Sequence, residues 1–229
     1  MIQMIFYKGG LLRFVGHLDM MRTIHRAIRR AGIPIAYSQG FNPHPIMSFA
    51  NPLGLGLTGE REIMEIRLEE GMPAEECMEL LNRELPEGLK ILSARSIPDQ
   101  TPAIMSLVEA AIYRIEFPEG TDFKAPFLAM MEEPRILITK LGKVKGRKQQ
   151  VEVDIKPWIY AYTFDSPSVL TIRCACGSVT NLKVELLTMK LYETMGMTEC
   201  WHQEKITREA LLAGPEKDFF NYSDDSLWD

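Results

Sequence analysis

Two residue periods alternate along this chain, and the order in which they alternate restricts the fold more than any single motif. Residues 1–7 form an apolar, β-rich run that Gly9 and Gly10 interrupt. Leu18, Met21, Ile24, Ala27, Ile28 and Ala31 then recur at helical spacing, and Gly32 and Pro34 stop the pattern. A short strand is expected over 46–50. Residues 63–69 alternate apolar and polar side chains, as a half-buried strand does. Pro73 opens a second helix carrying Cys77, Met78, Leu81 and Leu85, and a last strand follows over 89–97. The order is β-α-β-β-α-β.

A similar cycle follows a linker over 98–105. Strands are predicted over 110–117, 135–141, 151–155, 159–164 and 169–174, with helices over 123–131 and 181–195. Residues 143–150 are expected to turn, and 197–206 to return as a final strand. The fold class is therefore α+β, with two ferredoxin-like (βαββαβ) domains in tandem, antiparallel sheets and helices on one face. The boundaries are 1–100 and 107–208, the second domain carrying an inserted strand, with 209–229 an acidic tail. A chain of 229 residues suits two such domains.

Charge is distributed unevenly. Residues 1–58 hold six bases against Asp19 alone, whereas 59–100 hold five bases against eleven acids. A chain of net charge −5 can thus still present a basic face to an anionic partner. No apolar run is long enough to cross a bilayer, and the first residues lack the features of a secretory signal, so no membrane partner is expected. Four scattered cysteines do not make a disulfide framework, which suits a reducing cytoplasm.

Chemistry concentrates between residues 8 and 50. Arg22, Arg26 and Arg29 share one helix side, with Arg30 beside them and Arg13 just ahead of the helix; guanidinium groups in a row suit phosphate oxygens. In the loop that follows, Phe41 and His44 offer flat faces for stacking, while Gln39 and Asn42 can meet donor and acceptor edges. His17, Asp19 and His44 are the candidates for acid–base work, although Asp19 is equally explained by the helix dipole and a pairing with Arg22. Further along, Lys145 and Arg147 belong to a basic turn leading to Asp154 and Lys156, which suits an extension of a nucleic-acid surface and a soluble hairpin tip equally. Cys174 and Cys176 read as a buried or merely adjacent thiol pair rather than a zinc or redox site. No metal site or cofactor is expected: His and Cys spacings fit no ligand set, and the glycines of 51–59 form neither a Walker loop nor a dinucleotide fingerprint.

Across His17-Leu18-Asp19, Arg22 and Tyr37 through Pro45, with a weaker match at Asp154-Ile155-Lys156-Pro157, the chain resembles a family. It is that of the uncharacterised bacterial radical-SAM-associated proteins, a domain of unknown function found alone or fused behind a cobalamin-binding radical SAM protein. The resemblance spans about residues 2–205. Gly16 and Ile46 depart from it, since members tend to carry Ser and a basic residue there. It implies a radical SAM protein as partner, because this chain has no CxxxCxxC triplet for the iron–sulfur cluster. The leading expectation is an RNA-binding or substrate-presenting accessory protein for RNA modification or processing. The alternatives are an acid–base enzyme on RNA or a phosphorylated substrate, using His17, Asp19 and His44, and a protein–protein adaptor without nucleic acid.

Overall fold

The computed structural model describes residues 1–144, 147–200 and 202–213. Among them the chain is a mixed α/β structure with one large, mostly antiparallel sheet and five helices. The first half comprises β1 (Ile2–Lys8), α1 (His17–Arg30), β2 (Met47–Phe49), β3 (Thr58–Ile66), α2 (Ala74–Glu84) and β4 (Leu89–Ser96). The second comprises α3 (Ile104–Leu107), β5 (Ala110–Glu116), α4 (Lys124–Glu132), β6 (Leu137–Val144), β7 (Arg147–Asp154), β8 (Ile159–Ser166), β9 (Val169–Ala175), α5 (Val184–Thr194) and β10 (Lys205–Leu212).

The sheet runs β4-β1-β3-β10-β5-β9-β8, while β2 pairs the far stretch of β3 and β6–β7 stand apart as a hairpin. Both halves therefore contribute to one continuous sheet. Their join is at β3: the three residues of β2 cover only Met64–Ile66, and β10 pairs in parallel with the exposed ladder at Thr58 and Gly59. Leaving that ladder unpaired would expose a strand edge. Two apolar clusters pack on this sheet. In one, Met4 and Phe6 of β1 meet Met20, Ile24, Ala27 and Ile28 of α1 and Leu81 of α2. In the other, Ile115, Phe127, Ile172, Leu187 and Leu191 gather with Leu53 and Leu57 of the Gly-rich 51–59 segment, which thus bridges the halves. Each fully buried side chain of this size contributes roughly 1.5–3 kcal/mol.

Helix α1 shows how local sequence sets the boundaries. It stops in a Schellman turn: Gly32 adopts φ +69°, its N–H bonds Arg29 O at 3.3 Å, and Ile33 N–H bonds Ile28 O at 3.2 Å. Its buried face follows the expected stripe except in the first turn, where Met20 replaces Leu18. Met20, Ile24, Ala27 and Ile28 enter the core, whereas Leu18 is 66% exposed and Met21 half-buried. Met20 stands four residues before Ile24, one helical turn, and so joins the buried stripe that Ile24, Ala27 and Ile28 continue.

Three other expectations shift. The turn expected over 143–150 is narrower, because β6 extends to Val144 and β7 begins at Arg147. The last helix starts at Val184, since Asn181 bridges to Cys176. The final strand lies at Lys205–Leu212, so the first residues assigned to the acidic tail are sheet; Thr207, Ala210, Leu211 and Leu212 are buried there, and Glu209 obscured that pattern. The remainder of the tail, from residue 214, lies outside the described residues. Among the described residues no helix is long and apolar enough to cross a membrane.

Candidate nucleic-acid interface

The loop after α1 is a tied stem with an open tip. Ala36 and Ile46 are joined by an N–H···O bond of 2.8 Å, Tyr37 bridges Pro45, and Ser38 N–H bonds His44 O at 2.9 Å. The Ser38 hydroxyl also lies 2.9 Å from His44 Nδ1 and accepts from His44 N–H at 3.1 Å. That fixes the imidazole through one nitrogen and leaves Nε2 directed elsewhere. Beyond the stem, Gln39, Gly40, Phe41, Asn42 and His44 are all exposed, and the Phe41 ring is wholly in solvent. A bare aromatic ring at the tip of a braced loop has no packing duty to explain it.

Helix α1 holds this loop from one side. His25 Nε2 and Tyr37 Oη are 2.9 Å apart, with the two rings edge-on at 6.0 Å. Leu18, Met21, Arg22 and His25, which share one face of the helix, oppose Pro45 and Met47 across a groove of about 210 Å³. Burial, and then the nearby Arg29, push the His25 pKa down, so its ring is neutral at neutral pH.

The arginines divide by partner. Arg22 pairs with Asp19 at 2.8 Å, both well exposed, so this pairing is worth little energetically. Arg30 is turned to α2, where it bonds the Glu84 carboxylate at 2.8 Å and also the Glu84 carbonyl. Arg26 and Arg29 are exposed and have neither hydrogen bond nor ion pair among the described residues. The usable cationic face is thus Arg22, Arg26 and Arg29, while Arg30 serves the α1–α2 packing.

His17 belongs to a different environment. Its ring lies edge-on against Phe49 at 5.1 Å, and its Nδ1 is buried without a hydrogen-bond partner among the described residues. Burial, and then the charge of Lys8, lower its pKa. Lys8, one of the six bases of the N-terminal segment, is only 1% exposed and donates to Val15 O at 3.0 Å; burial is the larger cause of its lowered pKa. No hydrogen bond, ion pair or ring contact joins any two of His17, Asp19 and His44 among the described residues. The acid–base trio does not form a hydrogen-bonded unit here.

The other candidates are scattered. Arg13 lines a cleft of about 460 Å³ with Phe14, Leu55, Glu185 and Lys205, and lies over the Phe14 ring at 4.7 Å. Asp154 Oδ1 accepts the N–H groups of Ile136 (3.0 Å) and Lys156 (3.1 Å), and Lys156 Nζ donates to Glu133 O at 2.6 Å. Both side chains hold the base of the β6–β7 hairpin. Arg147 opens β7, and Lys145 lies outside the described residues. Cys174 and Cys176 are buried, and among the described residues no group of three or more His, Cys, Asp or Glu side chains is placed to hold a metal ion.

Sequence reasoning missed Tyr37 and Ser38, which orient His25 and His44, and it read Leu18 and Met21 only as part of the apolar helical stripe, not as groove walls; Met21 also packs against the core, whereas Leu18 does not. Two successive hydroxyl residues on the entering side of the loop stem were the available signal. It also missed the buried cluster at the β3–β10 seam: Arg208 is 2% exposed and bonds the Glu62 carboxylate with Nε and Nη2, Asn51 with both terminal nitrogens, and Cys176 Sγ at 3.7 Å.

Residues 2–184 match the family model described as an uncharacterized protein conserved in bacteria, DUF2344. No curated protein matches the chain.

Proposed function

We propose, from the premise that this chain belongs to the DUF2344 family of bacterial proteins, that it is a single-stranded RNA-binding accessory protein. It would work beside a radical SAM enzyme in RNA modification or processing. Helix α1 positions the phosphate backbone through Arg22, Arg26 and Arg29, and the 38–45 loop meets bases with Phe41, His44, Gln39 and Asn42. The observation that carries this reading is the pairing of two unneutralised guanidinium groups, Arg26 and Arg29, with a fully solvated aromatic ring on the adjoining loop. Cation rows with stacking side chains are what single-strand recognition needs. Strand order supports the architecture that goes with it: β4-β1-β3-β2 and β10-β5-β9-β8 repeat one antiparallel arrangement, which favours reading each half as a ferredoxin-like unit, the second interrupted by the β6–β7 hairpin. The radical SAM partner is drawn from the sequence resemblance.

Binding of a labelled single-stranded RNA, followed by anisotropy over a salt series, tests the reading. The native chain is expected to bind with a steep salt dependence, and the double variant Arg26→Ala, Arg29→Ala to bind more weakly. Its log–log salt slope should be shallower by about 0.7 for each phosphate that is no longer neutralised. Unchanged affinity and slope in the double variant would sink the proposal.

A further inference from the structure

We infer that the groove between α1 and the loop exit is a slot for one unstacked nucleobase of the bound RNA. This rests on the RNA-binding reading and adds where, and through what groups, a base is held. The slot has two apolar walls. Leu18 and Met21 form the helix side, and Pro45 and Met47 the loop side. At about 210 Å³ it is smaller than the roughly 300–1,000 Å³ of sites for drug-sized ligands, and it suits a single planar ring system.

Three features select a base over other apolar occupants. Leu18 stays 66% exposed although it lies on the helix that builds the core, so an apolar wall is kept open to the groove. Cations predominate beside it: Arg22, paired with the exposed Asp19, lines the groove, and Arg26 and Arg29 follow on the same helix without partners among the described residues, a row matched to the phosphates on either side of an inserted base. The groove's one ring with hydrogen-bonding nitrogens is His25. Tyr37 engages its Nε2 at 2.9 Å, and its Nδ1 has no hydrogen bond among the described residues. A neutral imidazole held by a hydroxyl takes whichever tautomer that hydroxyl allows, so its second nitrogen is free to donate to, or accept from, a base edge. An apolar peptide side chain would leave that nitrogen, and the unpaired Arg26 and Arg29, without a use.

Phe41 is a separate platform. It sits at the loop tip, outside the groove lining, so the surface offers two places for bases: an open ring at the tip and an enclosed slot beside the helix. A strand whose backbone follows the arginines would stack one base on the former and bury another in the latter.

The experiment compares a labelled single-stranded RNA with the same ribose-phosphate strand lacking its bases, against four proteins: native, Phe41→Ala, Met21→Trp and Met47→Trp. The tryptophans fill the slot from opposite walls, and circular dichroism and melting confirm that each variant is folded; two walls guard against one variant failing to fold. For the native chain the base-bearing strand should bind about tenfold or more tighter than its abasic twin, as stacking of one base implies. Phe41→Ala should keep part of that ratio, and each folded tryptophan variant should lower it. A ratio that Phe41→Ala abolishes, or that both tryptophan variants leave intact, overturns the slot while RNA binding stands. If the native chain binds neither strand, the proposed function falls and the slot with it.

Discussion

Arg208 and the pair Arg26–Arg29 carry the same guanidinium into opposite circumstances. Arg208 lies at the seam where β3 meets β10, with five hydrogen bonds to Glu62, Asn51 and Cys176 and nearly no exposure. Arg26 and Arg29 lie in water with no partner among the described residues. A buried cation must be neutralised and fully hydrogen-bonded, so its geometry is fixed and no capacity is left for a ligand. A solvated cation loses little by standing free and keeps all its donors for a phosphate. The contrast separates a fold-holding charge from a recognition charge by environment alone.

The most forceful way to break this contrast is at the seam. Glu62→Ala removes the carboxylate that Arg208 bonds with Nε and Nη2 and leaves a buried cation beside Lys8. Loss of one partner of a buried pair costs about 3–5 kcal/mol, and denaturant unfolding should show it. Replacing Glu62 and Arg208 together by apolar residues should cost much less than Glu62→Ala alone. If Glu62→Ala is nearly silent, water reaches the seam and the contrast collapses.

Removing Arg26 and Arg29 sharpens the other side. Unfolding free energy should stay within about 0.5 kcal/mol of native, as for surface substitutions away from buried features. RNA affinity should fall about tenfold, the order expected when charge-assisted hydrogen bonds to phosphate are removed. A double variant that loses stability instead would mean these arginines pack against something that matters to the fold.

Histidine provides a comparison within α1 that pH can read. Burial, then Lys8, depresses the pKa of His17, and burial, then Arg29, depresses that of His25. The folded state then resists protonation that the unfolded chain accepts near the ordinary value of about 6.5. The unfolded state binds more protons in the window below that value, so stability rises with pH there and is lost as pH falls from 6.5 through the folded values. Because both rings are partly solvated, the effect is modest. His17→Gln should melt with a shallower dependence between about pH 7.5 and about pH 5.5 than the native chain, a range that brackets the imidazole value. An equal dependence in both would remove His17 as the source.

Much of this was legible in residue order, and the rest failed for nameable reasons. The alternation of periods located β1, α1, α2, β4 and β5 within a residue or two, because turns such as Gly32 and Pro73 carry their own backbone chemistry. It could not show that β3 and β10 pair across the chain, since strand pairing depends on which edges lie uncovered. Nor could it divide the arginines: Arg30 and Arg26 sit on one helix, yet only three-dimensional packing puts Glu84 beside the first. Lys8 was misleading in the same way, adding to a count of basic charge while lying buried at the end of β1. Local composition marked the region of the candidate site; which cations remain available there is a property of the assembled fold.

Arg30 and Glu84 test the middle ground between the two kinds of charge, with the smallest expected effect. Their side chains are 53% and 35% exposed, so the ion pair at 2.8 Å is screened, but Arg30 also bonds the Glu84 carbonyl at the end of α2. Glu84→Gln keeps the carbonyl bond and removes only the charge, and should cost under about 1 kcal/mol, the range of exposed pairs. Arg30→Ala removes both interactions, so it should exceed Glu84→Gln while staying well below Glu62→Ala in the same denaturant series. RNA affinity should respond little to Glu84→Gln if Arg30 is committed to packing. A gain in affinity when Glu84 loses its charge would instead mean that the carboxylate had been holding Arg30 back, and a fourth cation would join the recognition row.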